Sequence, residues 1–162
     1  MANQNPIHKM IRTIAKTKAG SKLFSMMLHY FDRPVLKWTN GRYSVASLLA
    51  GLPIINLTTI GRKSGQPRTM PLIGIPDGDN LIVIGSNWGG KAHPAWTYNL
   101  LANPEATVLV NGRSQKMMAH LTQGAEREAA WDKAVDVYLG YQNYEKWADH
   151  RNIRVMVLAP VG

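Results

Sequence analysis

Two periodicities divide the chain. From Ile7 to Leu36 the apolar positions Ile7, Met10, Ile11, Ile14, Leu23, Phe24, Met27, Leu28 and Phe31 recur at helical spacing, with an interruption at Gly20. That spacing lines one face of a helix, so the segment predicts a pair of amphipathic helices or one broken helix. After Gly51 the texture changes. The stretches Ile54 to Ile60, Arg68 to Ile75, Leu81 to Ser86, Ala106 to Val110, Gln115 to Leu121 and Ile153 to Leu158 are short β-branched or apolar runs, the signature of strands. Residues 76–80, PDGDN, predict a hairpin between two of them, because Asp-Gly accepts the positive backbone angles that such turns require. Two stretches read as helices instead. His93 to Ala102 ends at Asn103-Pro104, where proline cannot continue a helix. Glu126 to Leu139 gathers Ala129, Ala130, Ala134, Val137 and Tyr138 on one packed side.

About six short strands with short, mostly antiparallel connections make an uncomfortable open sheet, and closure into a barrel removes the edges. The expected fold is α+β and mainly β: a barrel of about six strands, two or three helices packed outside it, and a single core. The organisation is an N-terminal helical arm over residues 1–50 followed by the barrel over residues 51–162. No internal repeat or low-complexity tract interrupts it.

Composition narrows the classes. With 45% hydrophobic and 18% charged residues, the chain has enough apolar material to fold. It contains no cysteine, which excludes a disulfide framework, thiol catalysis and cysteine metal sites, and fits a reducing compartment. The formal net charge of +9 is uneven: residues 1–43 carry eight Lys or Arg against the single acid Asp32. Such an arm fits an anionic surface, membrane lipid or nucleic acid, and equally a soluble helix with a lysine-rich wet face. Its aromatics Phe24, Tyr30, Phe31 and Trp38 do not interleave with the cations, which argues against stacking on nucleic acid. The longest apolar run, Val45 to Ile55, contains Pro53 and is about half the ~20 residues a membrane span needs. Lys9, Arg12, Lys16, Lys18 and Lys22 leave no uninterrupted apolar stretch for a signal peptide. The expectation is a cytoplasmic protein that can rest on the inner face of the membrane.

Three segments carry candidate chemistry. Residues 58–72, TTIGRKSGQPRTMPL, set Arg62, Lys63 and Arg68 around Gly61 and Gly65 in a turn between strands. The turn needs the glycines but not the charges. It is not the phosphate loop of NTPases, since Gly61 and Gly65 lie four apart and Gln66 follows. Glycine-turn amides, three cations and the Ser64 hydroxyl are nonetheless the ingredients of an anion site; a solvated basic turn is the plainer alternative. The second segment runs from Ser86 through Asn87, Trp88, Gly89, Gly90 and Lys91 to His93-Pro94, where paired glycines let the backbone approach a flat ligand. Just beyond, Trp96 and Asn99 share a helical face. In the third, Tyr138, Tyr141, Tyr144 and Trp147 recur every three residues. On a helix that spacing spreads the rings over a broad wall, either core or binding surface. Buried phenols need hydrogen-bond partners. The five histidines show no metal-ligand spacing, so no metal is expected, and no GxSxG elbow is present. Asp77 and Asp79 are turn formers. With no side-chain set suited to hard chemistry, a bound cofactor must supply it.

The stretches LTTIGRKSGQPRTMPL, GSNWGGKAHPAWTYNLLANPEATV and VYLGYQNYEKWADH, in order across roughly residues 54–160, resemble the deazaflavin-dependent nitroreductase family. That family includes quinone reductases and nitro-compound reductases that use coenzyme F420, an 8-hydroxy-5-deazaflavin. The resemblance implies a split β-barrel related to flavin-mononucleotide oxidases. It implies hydride transfer from reduced F420 to a lipophilic acceptor such as a quinone, with nitro compounds as further substrates. By that resemblance Arg62, Lys63, Ser64, Gln66 and Arg68, in a turn completed by Gly65 and Pro67, hold the phosphate and acidic tail. Pro71, Ser86, Asn87, Lys91, Trp96 and Asn99 line the ring and ribityl chain. Tyr138, Tyr141 and Tyr144 match substrate-side tyrosines, and Ser86 a serine near the acceptor. The sequence departs from the pattern at the bulky Trp88 and at Thr97, a position often aromatic in relatives. A flavin-mononucleotide barrel and a non-enzymatic binding barrel with a basic arm stand as alternatives.

Overall fold

The computed structural model describes residues 51–162 and, alone in the preceding segment, Thr17. The arm expected over residues 1–50, and the membrane contact read from it, lie outside the described residues. In chain order the elements are β1 (Ile54–Ile60), β2 (Pro67–Ile73), β3 (Ile75–Asp77), β4 (Asn80–Gly85), a short 3-10 turn (Asn87–Gly89), α1 (Ala95–Ala102), β5 (Glu105–Val110), β6 (Arg113–Leu121), α2 (Gly124–Val137), α3 (Gly140–Trp147) and β7 (Arg154–Pro160).

The strands form one antiparallel sheet in the order β2-β1-β5-β6-β7-β4-β3. Seven strands replace the expected six, because the run read as Arg68 to Ile75 is broken at Gly74 into β2 and β3. The break has a packing cause. A Cβ at position 74 would come 2.7 Å from Ile55 Cγ2, and Ile55 is buried in the core, so only glycine lets the chain pass so close. The Gly74 N–H donates to the Pro53 carbonyl at 2.9 Å and fixes the bend. Its consequence is global. β2 and β3 are opposite edges of the sheet, yet one residue joins them. Flat, a seven-strand sheet sets its edges about 29 Å apart, whereas the two Cα steps from Ile73 to Ile75 span at most about 7 Å. The sheet must therefore curl until its edges meet, which makes it a split half-barrel. The edge position also explains how β2 tolerates Pro67 and Pro71, which cannot donate to a ladder.

Alternating side chains sort into two cores, not one. Ile82 and Ile84 of β4 and Val155 and Val157 of β7 join α2 and α3 through Ala130, Trp131, Ala134 and Tyr144. Val83, Met156 and Leu158, one position out of phase, point to the other face and pack with Ile55, Leu57, Val108 and Met117. Trp96 and Leu100, four apart on α1, complete this second cluster. Covering both faces is what a strand with apolar residues at consecutive positions demands.

The helix ends shift for local reasons. α1 starts at Ala95 instead of His93, since the residue before a proline is driven out of helical geometry. α2 covers Gly124–Val137, displaced from Glu126 to Leu139, and Tyr138 is extended at φ −144°, ψ 99°. A new helix then opens at Gly140. Ala129, assigned to the packed side, is exposed, whereas Trp131 and Val135 are buried.

Candidate active site

The basic turn joins β1 to β2. The Gly61 N–H donates to the Gln66 carbonyl at 2.9 Å and the Gly65 N–H to the Gly61 carbonyl at 2.7 Å. Gly65 sits at φ +65°, a conformation that glycine adopts without steric cost. The turn is also fastened from outside. Asn99 on α1 accepts the Arg62 N–H at 3.1 Å and donates from Nδ2 to Thr59 Oγ1 at 3.0 Å. Both ends of this buried amide are thus committed to holding the turn against the helix. Arg62, Lys63, Ser64 and Arg68 line an open cleft of about 680 Å³ together with His93, Trp96, Tyr98 and Asn99. The guanidinium of Arg62 lies 4.9 Å and that of Arg154 4.3 Å from the Tyr98 ring centroid, a cation–π arrangement. Gly65, Gln66 and Pro67 shape the turn without lining the cleft. Lys91 lies outside it, with its carbonyl taken by His150 Nε2 at 2.9 Å.

A second cavity, of about 160 Å³ and largely apolar, adjoins the first. Pro71, Ser86, Asn87, Trp88, Tyr138, Tyr141 and Tyr144 line it. Met70 and Trp96 line both cavities, so these two side chains form their common wall. The structure thus brings together the predicted Pro71, Ser86, Asn87, Trp96 and the three tyrosines, with the cation cluster one wall away.

The tyrosines are not carried on one helix, as the three-residue spacing suggested. Tyr138 sits in the break between α2 and α3, and Tyr141 and Tyr144 on α3. The break turns the Tyr138 hydroxyl toward that of Tyr144, 3.0 Å away, and Gly140 abuts the Tyr138 ring, leaving no room for a side chain. Tyr141 is also buried, and its hydroxyl makes no hydrogen bond among the described residues. Burial first, and then the neighbouring Tyr138, hold the Tyr141 phenol well above its ordinary titration range; Tyr144 is raised by burial and by both neighbours. Both hydroxyls therefore keep their protons throughout the working range of an enzyme.

The loop from Gly85 to Gly90 is bent hard. Asn87, Trp88 and Gly89 have φ of 47°, 54° and 74°, and left-handed geometry costs a non-glycine residue roughly 1–2 kcal/mol. The Gly89 backbone presses on Trp147, where a Cβ would come within 2.9 Å, and Trp88 meets Tyr144 edge-on. Asn87 Nδ2 donates to the Ala92 carbonyl at 2.9 Å. Arg151 completes the bracing: Nε donates to Gly90 O at 3.0 Å, Nη2 to Ser86 O at 2.8 Å and Nη1 to Gly85 O at 3.4 Å. Nη1 also lies 3.2 Å from His93 Nδ1. A guanidinium only donates, so Nδ1 accepts and the neutral ring carries its proton on Nε2. Burial, then Arg154 and Arg151, push the His93 pKa down. His93, Tyr98, Arg151 and Arg154 were missing from the sequence-based site. His93 and Tyr98 lay within a quoted motif, but a lone cation such as Arg151 gives no local signal.

The frame is a split half-barrel with a cation-lined cleft beside an aromatic cavity. A solved F420-H2 dependent reductase (FDR-A) superposes with a TM-score of 0.61 at 34% identity, over 65% of this chain and 93% of that one. The family model for F420H(2)-dependent quinone reductase matches residues 33–160, and the chain belongs to that family. Among its relatives is Rv3178 of Mycobacterium tuberculosis (strain ATCC 25618 / H37Rv), provisionally named an F420H(2)-dependent quinone reductase. It is 31% identical over 109 residues, 67% of this chain and 91% of that one. Rv1261c of the same strain, an F420H(2)-dependent quinone reductase, is 36% identical over 77 residues, 47% of this chain and 50% of that one. The protein is an oxidoreductase of this family, and the non-enzymatic barrel falls away. No helix among the described residues is long and apolar enough to cross a membrane.

Proposed function

We propose that the protein reduces a quinone in the aromatic cavity with F420 held from the basic cleft, so that the wall of Met70 and Trp96 marks where coenzyme and acceptor meet. The observation that carries this reading is the juxtaposition itself: a cation-lined cleft and a largely apolar, tyrosine-capped cavity share two side chains. The donor set suits the coenzyme. Arg62, Lys63 and Arg68 offer charge and Ser64 a hydroxyl to a polyanionic tail, and guanidinium groups pair with phosphate through parallel hydrogen bonds. Trp96, on the shared wall, bounds the space left for its planar end.

Reduced F420, when bound, supplies the hydride. The acceptor needs one further proton to become the hydroquinone, and the tyrosines bear on where it comes from. With their pKa values raised, Tyr141 and Tyr144 are poor acids but durable hydrogen-bond donors. Their task is to orient the acceptor and stabilise negative charge growing on its oxygen; the proton that completes the hydroquinone comes ultimately from solvent. Tyr141, whose hydroxyl is uncommitted among the described residues, is the first donor for that oxygen. The apolar lining excludes bulk water from the transfer and fixes the spacing, which is most of what hydride transfer asks of a protein.

The test is an anaerobic titration with F420 followed by oxidation of reduced F420 with menadione, on the parent and on Arg62→Ala/Lys63→Ala. Each lost charge-assisted hydrogen bond is worth roughly 1.5–3 kcal/mol, so coenzyme affinity should fall at least tenfold while the melting temperature holds. Unchanged affinity in the double variant removes the basic turn from the coenzyme site.

A further inference from the structure

We infer that Arg151 is a positioning residue for the reduction: its guanidinium holds the Ser86–Gly90 loop in the one conformation that walls the acceptor cavity. The inference rests on the functional reading above and extends it to a residue outside every motif of the site.

The geometry is specific. All three guanidinium nitrogens are used, and three of their four contacts are backbone carbonyls of one six-residue loop, at Gly85, Ser86 and Gly90. The bonds fall at both ends of the segment and none within it. The middle, Asn87 to Gly89, is the part with left-handed backbone angles, so the planar fork clamps the ends of a strained span. Strain of this kind persists only where the surroundings over-determine it. Lysine, a point charge on a flexible stem, cannot reproduce a fork that spans two loop ends.

The clamp is anchored to the substrate wall. The Arg151 N–H donates to the Ala148 carbonyl at 2.9 Å, the residue that caps α3, and α3 carries Tyr141 and Tyr144. Arg151 therefore registers the loop bearing Ser86, Asn87 and Trp88 against the helix bearing the tyrosines, and the cavity is the space between them. Its fourth contact, to His93 Nδ1, reaches a residue that lines the cation cleft. No carboxylate among the described residues lies within ion-pair distance of Arg151. An ion pair is thus not what keeps an arginine there; carbonyl bonding to the loop is.

Arg151→Lys keeps the charge and loses the fork, and Arg151→Gln keeps an amide donor and loses the charge. Three quantities are measured on each: F420 affinity by fluorescence titration, kcat and KM with menadione, and amide hydrogen exchange over residues 85–92 in the free protein. The expected result for Arg151→Lys is F420 affinity within about threefold of the parent and kcat lowered about 10- to 100-fold, the scale of a displacement of about 1 Å. Exchange at Gly89 and Gly90 should rise while β4 and β7 stay protected, and Arg151→Gln should recover part of the protection. Parental kcat and parental exchange in Arg151→Lys overturn the inference. So does a loss of F420 affinity matching Arg62→Ala/Lys63→Ala, which would make Arg151 a charge of the cleft, and so does failure of both variants to unfold cooperatively, which would make it purely structural. If the parent itself neither binds F420 nor oxidises its reduced form, the functional reading fails and takes this inference with it.

Discussion

Replacing Asn99 by alanine should loosen the basic turn and lower stability by an amount the structure lets one work out. Asn99 is 7% exposed and Thr59 1% exposed, so the Thr59 hydroxyl, deprived of its 3.0 Å donor, is left buried at the edge of the cleft. An orphaned buried polar group costs roughly 1–3 kcal/mol. The Arg62 N–H loses its acceptor at 3.1 Å but borders the open cleft, where water can replace it, and so forfeits only the net value of about 0.5–1.5 kcal/mol. The sum, roughly 1.5–4.5 kcal/mol, is a large fraction of the 5–15 kcal/mol typical of a domain. Urea unfolding of the parent, Asn99→Ala, Thr59→Val and the double variant gives the coupling between the two side chains. It should be at least about 1 kcal/mol, since Thr59→Val costs less once Asn99 no longer needs its oxygen. F420 affinity should fall in Asn99→Ala alone, although the three cations are untouched. Stability within about 0.5 kcal/mol of the parent, or strict additivity in the cycle, would refute the reasoning.

Two other outcomes follow from the geometry. Gly140→Ala drives a methyl into the Tyr138 ring, breaking its 3.0 Å contact with Tyr144. Overpacking of this kind costs roughly 1–3 kcal/mol, and steady-state kinetics should show a raised KM for menadione with F420 affinity unchanged; a KM equal to the parent's would dismiss Tyr138 from the acceptor wall. His93, with its pKa lowered by burial and two arginines, should make stability pH-dependent in a definite direction. The folded protein binds this proton less readily than the unfolded chain, whose histidine titrates near 6.5. The contribution is therefore complete above about pH 6.5 and lost as pH falls through the lower folded value. His93→Asn keeps an acceptor for Arg151 and removes the titration, so its stability should decline less than the parent's between about pH 7.5 and 5; equal declines would show His93 to be uninvolved.

Much of this molecule is written locally. The shift from helical spacing to short β-branched runs marked every strand region within a few residues, PDGDN gave the β3–β4 hairpin, and GRKSGQP gave the basic turn. These features depend on backbone sterics and side-chain alternation, which neighbours in sequence settle among themselves. Three motifs in order also carried the family resemblance that the comparisons bear out. Ser86, Trp96 and the tyrosines were legible as candidates because aromatic, hydroxyl and small residues cluster in the same segments, whereas Pro71 entered only through the resemblance.

What tertiary structure decided is everything that depends on which distant segments meet. The run from Arg68 to Ile75 looks continuous, and only the approach of Ile55 to Gly74 splits it, sends its halves to opposite edges and curls the sheet. The tyrosine spacing reads as one helix, but the chain extends at Tyr138 so that two hydroxyls can meet in a buried place. Asn99 resembles a ligand by its position on α1, while both ends of its amide are taken by β1 and the turn. Arg151 gives no sign in the sequence at all, because the carbonyls it holds lie more than sixty positions away. Local sequence fixes backbone preference over a few residues; a site is made by long-range closure, where burial and hydrogen-bond satisfaction are settled between elements that share no local code.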